Sequence, residues 1–257
     1  MFPFRTTQGW APMRRAVFEF LVIVIGVLVA LAADEWRQTR AEFRDLEEHL
    51  TSVLDEVRDN LSNVSAVRGG ISARKIAGLE TIIAHLESGD TTVSDPDALL
   101  KALADSAAVW RPFVSRNRFD ALNTSGLLRL AVGDELRDVL AGTYEVPETL
   151  LGQVALMQGD YPIVVNEIIP STYQSSLSGM RSYIVEGTAP EIAIDIGAED
   201  AVELIHEDRA RLLRLARGEA AVATAVWYAL TRIQADFREL EPLLADRVGV
   251  PSEADRF

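Results

Sequence analysis

The side chains in this sequence best suited to chemistry are three histidines, a few clustered serines and many carboxylates; there is no cysteine. Glu203-x-x-His206 has the spacing that puts a carboxylate and an imidazole on one helix face, as in the ligand pairs of di-iron bundles. Such sites need two of these pairs and two further carboxylates, and the chain has no second Glu-x-x-His. His206 is therefore expected to be a side chain on a charged helix face beside Glu207 and Asp208, and no metal is expected. His49 and His85 complete the histidines. Ser175, Ser176 and Ser178 lie in an irregular segment with no Ser-x-x-Lys nearby, and are read as a solvated loop. Serine catalysis through a distant histidine stays open. There is no His-Glu-x-x-His, no Gly-x-Ser-x-Gly, no phosphate loop and no dinucleotide fingerprint. Adjacent carboxylates such as Glu47-Glu48 and Asp55-Glu56 point in different directions on a helix, so they read as solvated faces rather than acid/base pairs. The sequence predicts no catalytic group and no cofactor.

The element that positions everything else is an apolar run, Phe20 to Ala33, preceded by Arg14 and Arg15 and followed by Asp34-Glu35-Trp36. Extended back to Ala16 it gives 18 residues, about 27 Å of helix, close to the thickness of a hydrocarbon core. Eleven Val, Ile, Leu and Phe residues between Phe18 and Leu31 outweigh the one charge, Glu19, which lies one turn after Arg15 and can sit at headgroup level. Trp36 is expected at the opposite interface. The chain is net +2 before the run and net −16 beyond Ala33, which predicts a single crossing with the basic end in the cytoplasm. The expected location is a bacterial inner membrane with residues 34–257 outside the cytoplasm. A cleaved signal peptide is the rival, since Ala30-Leu31-Ala32 fits the small-x-small rule. The residues around Arg14-Arg15 match a twin-arginine signal poorly.

A length of 257 residues, 48% of them apolar, describes a folded chain with a real core beyond the anchor. The formal charge of −14 argues against nucleic acid and against anionic headgroups for the main domain. Lys75 and Lys101 are the only lysines beside 23 arginines, the bias of a GC-rich bacterial genome.

Past the anchor the pattern is helical throughout. Trp36, Phe43, Leu50, Val57 and Val64 make one heptad register, and Leu46, Val53 and Val67 another, interrupted at Thr39 and Asn60. This predicts a stalk-like helix over 34–67, continuous with the membrane helix and ended by Gly69-Gly70. A helix over 72–87 closes at Ser88-Gly89. Ser94-Asp95-Pro96 caps another that runs to about Trp110. A short helix over 115–124 reaches Ser125-Gly126. Asp134 starts a further helix through Leu136, Leu140 and Tyr144, which Pro147 kinks or splits. Residues 159–197 read as an irregular insertion, with strand-like alternation at Glu191–Ile196. A long helix is expected over 198–247 and a frayed tail over 251–257. The predicted fold is all-α: an N-terminal transmembrane helix followed by an elongated antiparallel helical bundle.

Two segments carry a resemblance. The head, Glu19-Phe20 with Gly26-Val27-Leu28, Ala30-Leu31 and Asp34-x-Trp36, is similar to that of an uncharacterised family of bacterial proteins with a single N-terminal membrane anchor. Phe119-x-x-Leu122-x-x-Ser125-Gly126-x-Leu128, followed by Leu136, Leu140 and Tyr144, resembles that family's mid-chain pattern. The resemblance implies a topology and a helical extracytoplasmic domain, and no activity. Read from its own residues, the second motif is a helix stop with Gly in a left-handed conformation and leucines covering a packed corner; a ligand loop is the sharper alternative.

The leading expectation for function is a non-enzymatic envelope protein that binds a protein partner, or itself, through long helices. The alternatives are a periplasmic ligand-sensing bundle acting through a membrane partner, and an enzyme of unidentified chemistry. A pocket with convergent polar groups favours sensing, whereas a solid core with an exposed apolar stripe favours protein interaction.

Overall fold

The structure, a computed structural model, describes residues 11–109, 113–130, 133–157, 159–170, 173 and 196–254, with backbone alone at 11–16 and 133–135. Every regular element among the described residues is helical. The first, α1, runs Ala11–Ala66 without a break. Its N-terminal part is long and apolar enough to cross a membrane, and none of that apolar window is buried against the rest of the chain. Core packing begins at Leu46, and the buried stripe continues through Leu50, Val53, Leu54, Val57, Leu61, Val64 and Val67. Trp36 and Phe43, in the same heptad register, stay exposed.

Gly69-Gly70 does not end this helix. Val67–Ser72 forms a π-helical turn that leads into α2, Ala73–Ser88. Neither glycine takes a positive φ, whereas Gly89, which does stop α2, has φ 72°. Glycine ends a helix only where the chain enters the left-handed region, and here it is tolerated in a wider turn.

The chain continues as α3, Pro96–Ser106, with Asp95 accepting the Ala98 N–H at 3.0 Å and Pro96 opening the first turn. It stops well before Trp110. Next come α4, Asn117–Ser125, a 3-10 turn Leu127–Arg129, and α5, Gly133–Leu156, which carries Pro147 inside it without splitting. The expected irregular stretch contains a further helix, α6, Tyr161–Ile168. Pro162 disguises it in the sequence, but sits in the first turn where its missing N–H has no helical partner to lose. The strand-like residues 191–195 lie outside the described residues. The predicted helix over 198–247 is two: α7, Ala198–Glu207, and α8, Arg209–Val248, separated at Asp208 with φ −103° and ψ 23°. Pro242 lies inside α8, which passes through it.

The 40 residues of α8 line two apolar cores. Leu230, Ile233, Phe237, Leu240 and Leu244 pack with α1, α4 and α5. Leu212, Ala216 and Ala223 pack with α2, α3, α6 and α7. Polar contacts follow the same line: Arg58 pairs with Glu241 at 2.9 Å, Gln234 donates to Ser65 at 2.6 Å, and Arg217 pairs with Glu87 at 2.8 Å. Partner numbers fall along α8 as they rise along α1 and α2.

The tail read as frayed is held as far as it is described. Pro251 O accepts from Arg58 at 2.8 Å, Ser252 Oγ donates to Glu241, and Glu253 N–H donates to Glu241 at 2.9 Å.

Candidate functional site

Among the described residues, polar side chains from different helices meet at several buried or half-buried places. The first is built around Glu56, on the core face of α1 and 2% exposed. One turn of α1 further on, Asn60 exchanges two 2.8 Å hydrogen bonds with the backbone of Ser115, and Asn63 donates to Phe113 O. This holds the segment before α4 against α1. Glu56 then receives the start of α4: Oε2 accepts from Ser115 Oγ at 2.7 Å and from Arg118 N–H at 2.9 Å. Oε1 accepts from Phe119 N–H at 3.2 Å and from the Tyr144 hydroxyl at 3.0 Å. The N-cap of α4 is Arg116, whose side chain caps nothing, so a carboxylate from another helix satisfies the orphan donors and meets the positive end of the dipole. Burial, and then the Glu56 carboxylate beside it, push the Tyr144 phenol far above its ordinary value, so it stays protonated and donates. Glu56 is thus the opposite of the solvated carboxylate expected from Asp55-Glu56.

The motif residues gather around this cluster. Phe119 stacks on Tyr144 with centroids 4.5 Å apart, and Tyr144 meets the Phe237 ring edge-on at 5.6 Å. Leu122, Leu128 and Leu140 are buried in the same core, with Leu136 packed against it. Gly126 ends α4 with φ 71°. Ser125 is exposed; its Oγ donates to Leu122 O at 2.7 Å and accepts from Leu127 N–H at 3.2 Å. The side chain of Asp134 lies outside the described residues, as do those of Arg14 and Arg15. Glu19 and Trp36 are exposed on α1, with Arg40 over the Trp36 ring at 5.5 Å. Among the described residues, the bonds of Glu56 and Asn60 in this corner join α1 to the start of α4 and, through the Tyr144 hydroxyl, to α5.

The second arrangement was not legible beforehand. Lys75 on α2 pairs with Glu219 on α8 at 2.5 Å and donates to Ala108 O at 2.7 Å. The side chains are 13% and 4% exposed. They form the polar floor of a cleft of about 210 Å³ walled by Ile71, Val109, Pro162, Ile163, Val222 and Val226. The scarcity of lysine was the only sequence signal. Chemically this is a small, mostly apolar recess with one charge pair at its floor.

The third joins two histidines that sequence separation had hidden. His85 Nε2 lies 3.4 Å from His206 Nε2, with the rings edge to face. Burial, then His206, hold the His85 pKa below 6.5, and Arg209 adds to this against the opposing pull of Asp90. Arg209 also donates to Leu86 O and Glu87 O, which caps the end of α2. Glu203 is exposed one turn before His206, and among the described residues no group of three or more His, Asp and Glu side chains is arranged to hold a metal ion.

No protein-family model matches the chain, and no curated protein or solved structure is similar enough to it to align.

Proposed function

We propose that this is a membrane-anchored, non-enzymatic protein whose helices form an elongated antiparallel bundle that binds a protein partner. The observation that carries the reading is a shallow, mostly apolar trough between α2 and α8, lined by Ala73, Ile76, Ala77, Trp227 and Tyr228 with Glu80 and Thr224 among them. Tyr228 is 69% exposed, and Trp227 lies beneath the Arg68 guanidinium at 5.4 Å. Aromatic and arginine side chains on an open apolar surface are the composition of interface hot spots. The buried carboxylates support it too, since Glu56, Glu219 and Glu241 are all engaged in joining helices or loops. On this reading residues 1–15 are cytoplasmic, 16–33 cross a bacterial inner membrane, and the bundle works in the envelope. A photo-crosslinking amino acid at position 228 should give a discrete adduct in intact cells, and one at exposed Arg238 should not. Equal labelling from both positions, or none from 228, would count against the trough.

The cleft over Lys75 and Glu219 favours one second reading, a ligand-sensing bundle acting through a membrane partner. Its signature is a small molecule that raises the unfolding temperature of the natural chain but not of Ile163→Trp, which narrows the mouth.

A further inference from the structure

The stretch of α1 between the apolar run and the first core residue, Leu46, has its charges sorted by face. At about 100° per residue, Arg37, Arg40 and Arg44 fall within an arc of roughly 60°, while Asp34, Glu35, Glu42 and Asp45 occupy a separate arc of roughly 100°. All three arginines are exposed. Among the described residues none of the three has a carboxylate partner; Arg40 lies over Trp36 at 5.5 Å and Arg44 turns back onto Arg40 O at 3.4 Å. Three cations spaced three and four residues apart repel one another along a helix face. A chain with a net charge of −14 has ample carboxylate to neutralise them, yet none from the described residues is used there.

Height along the helix points to what does. Arg37 and Arg40 stand about 6 and 10 Å beyond Ala33, in or at the edge of a headgroup layer some 5–8 Å deep. Arg44, at about 16 Å, is within roughly a Debye length of that layer. Trp36, between the run and the arginines, has the amphipathic ring that settles at a membrane interface. We propose that Arg37, Arg40 and Arg44 bind the phosphates of anionic phospholipid headgroups in the leaflet where α1 leaves the bilayer. The stripe supplies planar, bidentate phosphate donors, and the acidic arc beside it limits the contact to one side of the helix. This rests on the membrane reading of residues 16–33, and does not depend on which compartment holds the bundle.

The test uses the full chain reconstituted in vesicles doped with spin-labelled phosphatidylglycerol or spin-labelled phosphatidylcholine, reading the motionally restricted lipid fraction by electron paramagnetic resonance. The natural chain should prefer phosphatidylglycerol by about fivefold or more, the worth of one well-placed arginine. R37Q/R40Q/R44Q should bring the ratio close to one with unchanged helicity, and R14Q/R15Q should keep most of the preference. Equal association of both lipids with the natural chain, or a preference that survives in the triple variant, overturns the proposal. A preference lost only in R14Q/R15Q overturns it as well. If neither lipid shows a restricted component, the membrane reading itself fails.

Discussion

The Glu56 carboxylate accepts the Tyr144 hydroxyl at 3.0 Å, and the same side chain caps the start of α4, so one residue ties α1, α4 and α5 together. Glu56→Ala strips four donors of their acceptor inside a core. It should destabilise the chain by about 3–5 kcal/mol, the cost of leaving strong buried groups unpaired. Tyr144→Phe keeps the stacked ring and removes one bond to a carboxylate, for about 1.5–3 kcal/mol. Urea unfolding measures both, and a Glu56→Ala chain as stable as the natural one would remove Glu56 from its structural role.

Two glycines test different physics. At Gly126, φ is 71° and an added Cβ meets no atom within 4 Å, so only backbone strain opposes a side chain. Gly126→Val should cost about 1–3 kcal/mol, and Gly126→Asn much less, because Asn tolerates the left-handed region. At Gly78 a Cβ would lie 2.5 Å from Ala102 O and 2.9 Å from Ser106 N. Gly78→Ala must push α2 away from α3 and should cost more than Gly126→Ala. Ser125→Ala should matter least; if it abolished binding of a partner while Gly126→Val was silent, the corner would be a ligand loop.

The His85–His206 contact has a defined sign with pH. Because the folded pKa of His85 is below 6.5, the unfolded chain holds more protons on this group as pH falls through that value. The stability linked to His85, through its burial first and His206 second, is therefore fully present above 6.5 and is lost on acidification toward and past the folded pKa. His206→Ala should raise the His85 midpoint in an NMR titration and flatten the stability profile between pH 7 and 5. An unchanged midpoint would show that the two rings do not interact electrostatically.

Topology has its own measurement. External protease added to osmotically opened cells should degrade residues 34–257, and without protease the membrane pellet should hold the intact chain. A soluble mature form beginning at Ala33 would identify a signal peptide instead.

What the sequence showed was governed by range. The apolar run, the stops at Gly89 and Gly126 and the cap at Asp95 depend on neighbours within a few residues, so composition and spacing revealed them. Asn60, read as a flaw in the heptad, is buried because Ser115 offers a backbone edge 55 residues away. Glu56 looked solvated because its acceptor work is done for α4 and α5, and Lys75 and Glu219 carry no local mark at all. Gly69-Gly70 misled for a different reason: glycine permits a stop without requiring one, and the apolar face on either side already had a continuous surface in α8.

That π turn also fixes a phase. Helical structure is continuous from Ala11 to Ser88, yet Val67–Ser72 takes more residues per turn than the helix on either side, so the faces before and after it are offset. The arginine stripe, the Glu56 face and the face bearing Lys75 and His85 are indexed to one another like teeth on a shaft. Deleting one residue in this turn would rotate one section by about 100° against the other, misaligning α8 with at least one of its two cores. Substituting an exposed residue along the rod leaves this phase untouched, whereas changing its length between Leu46 and Leu86 resets it.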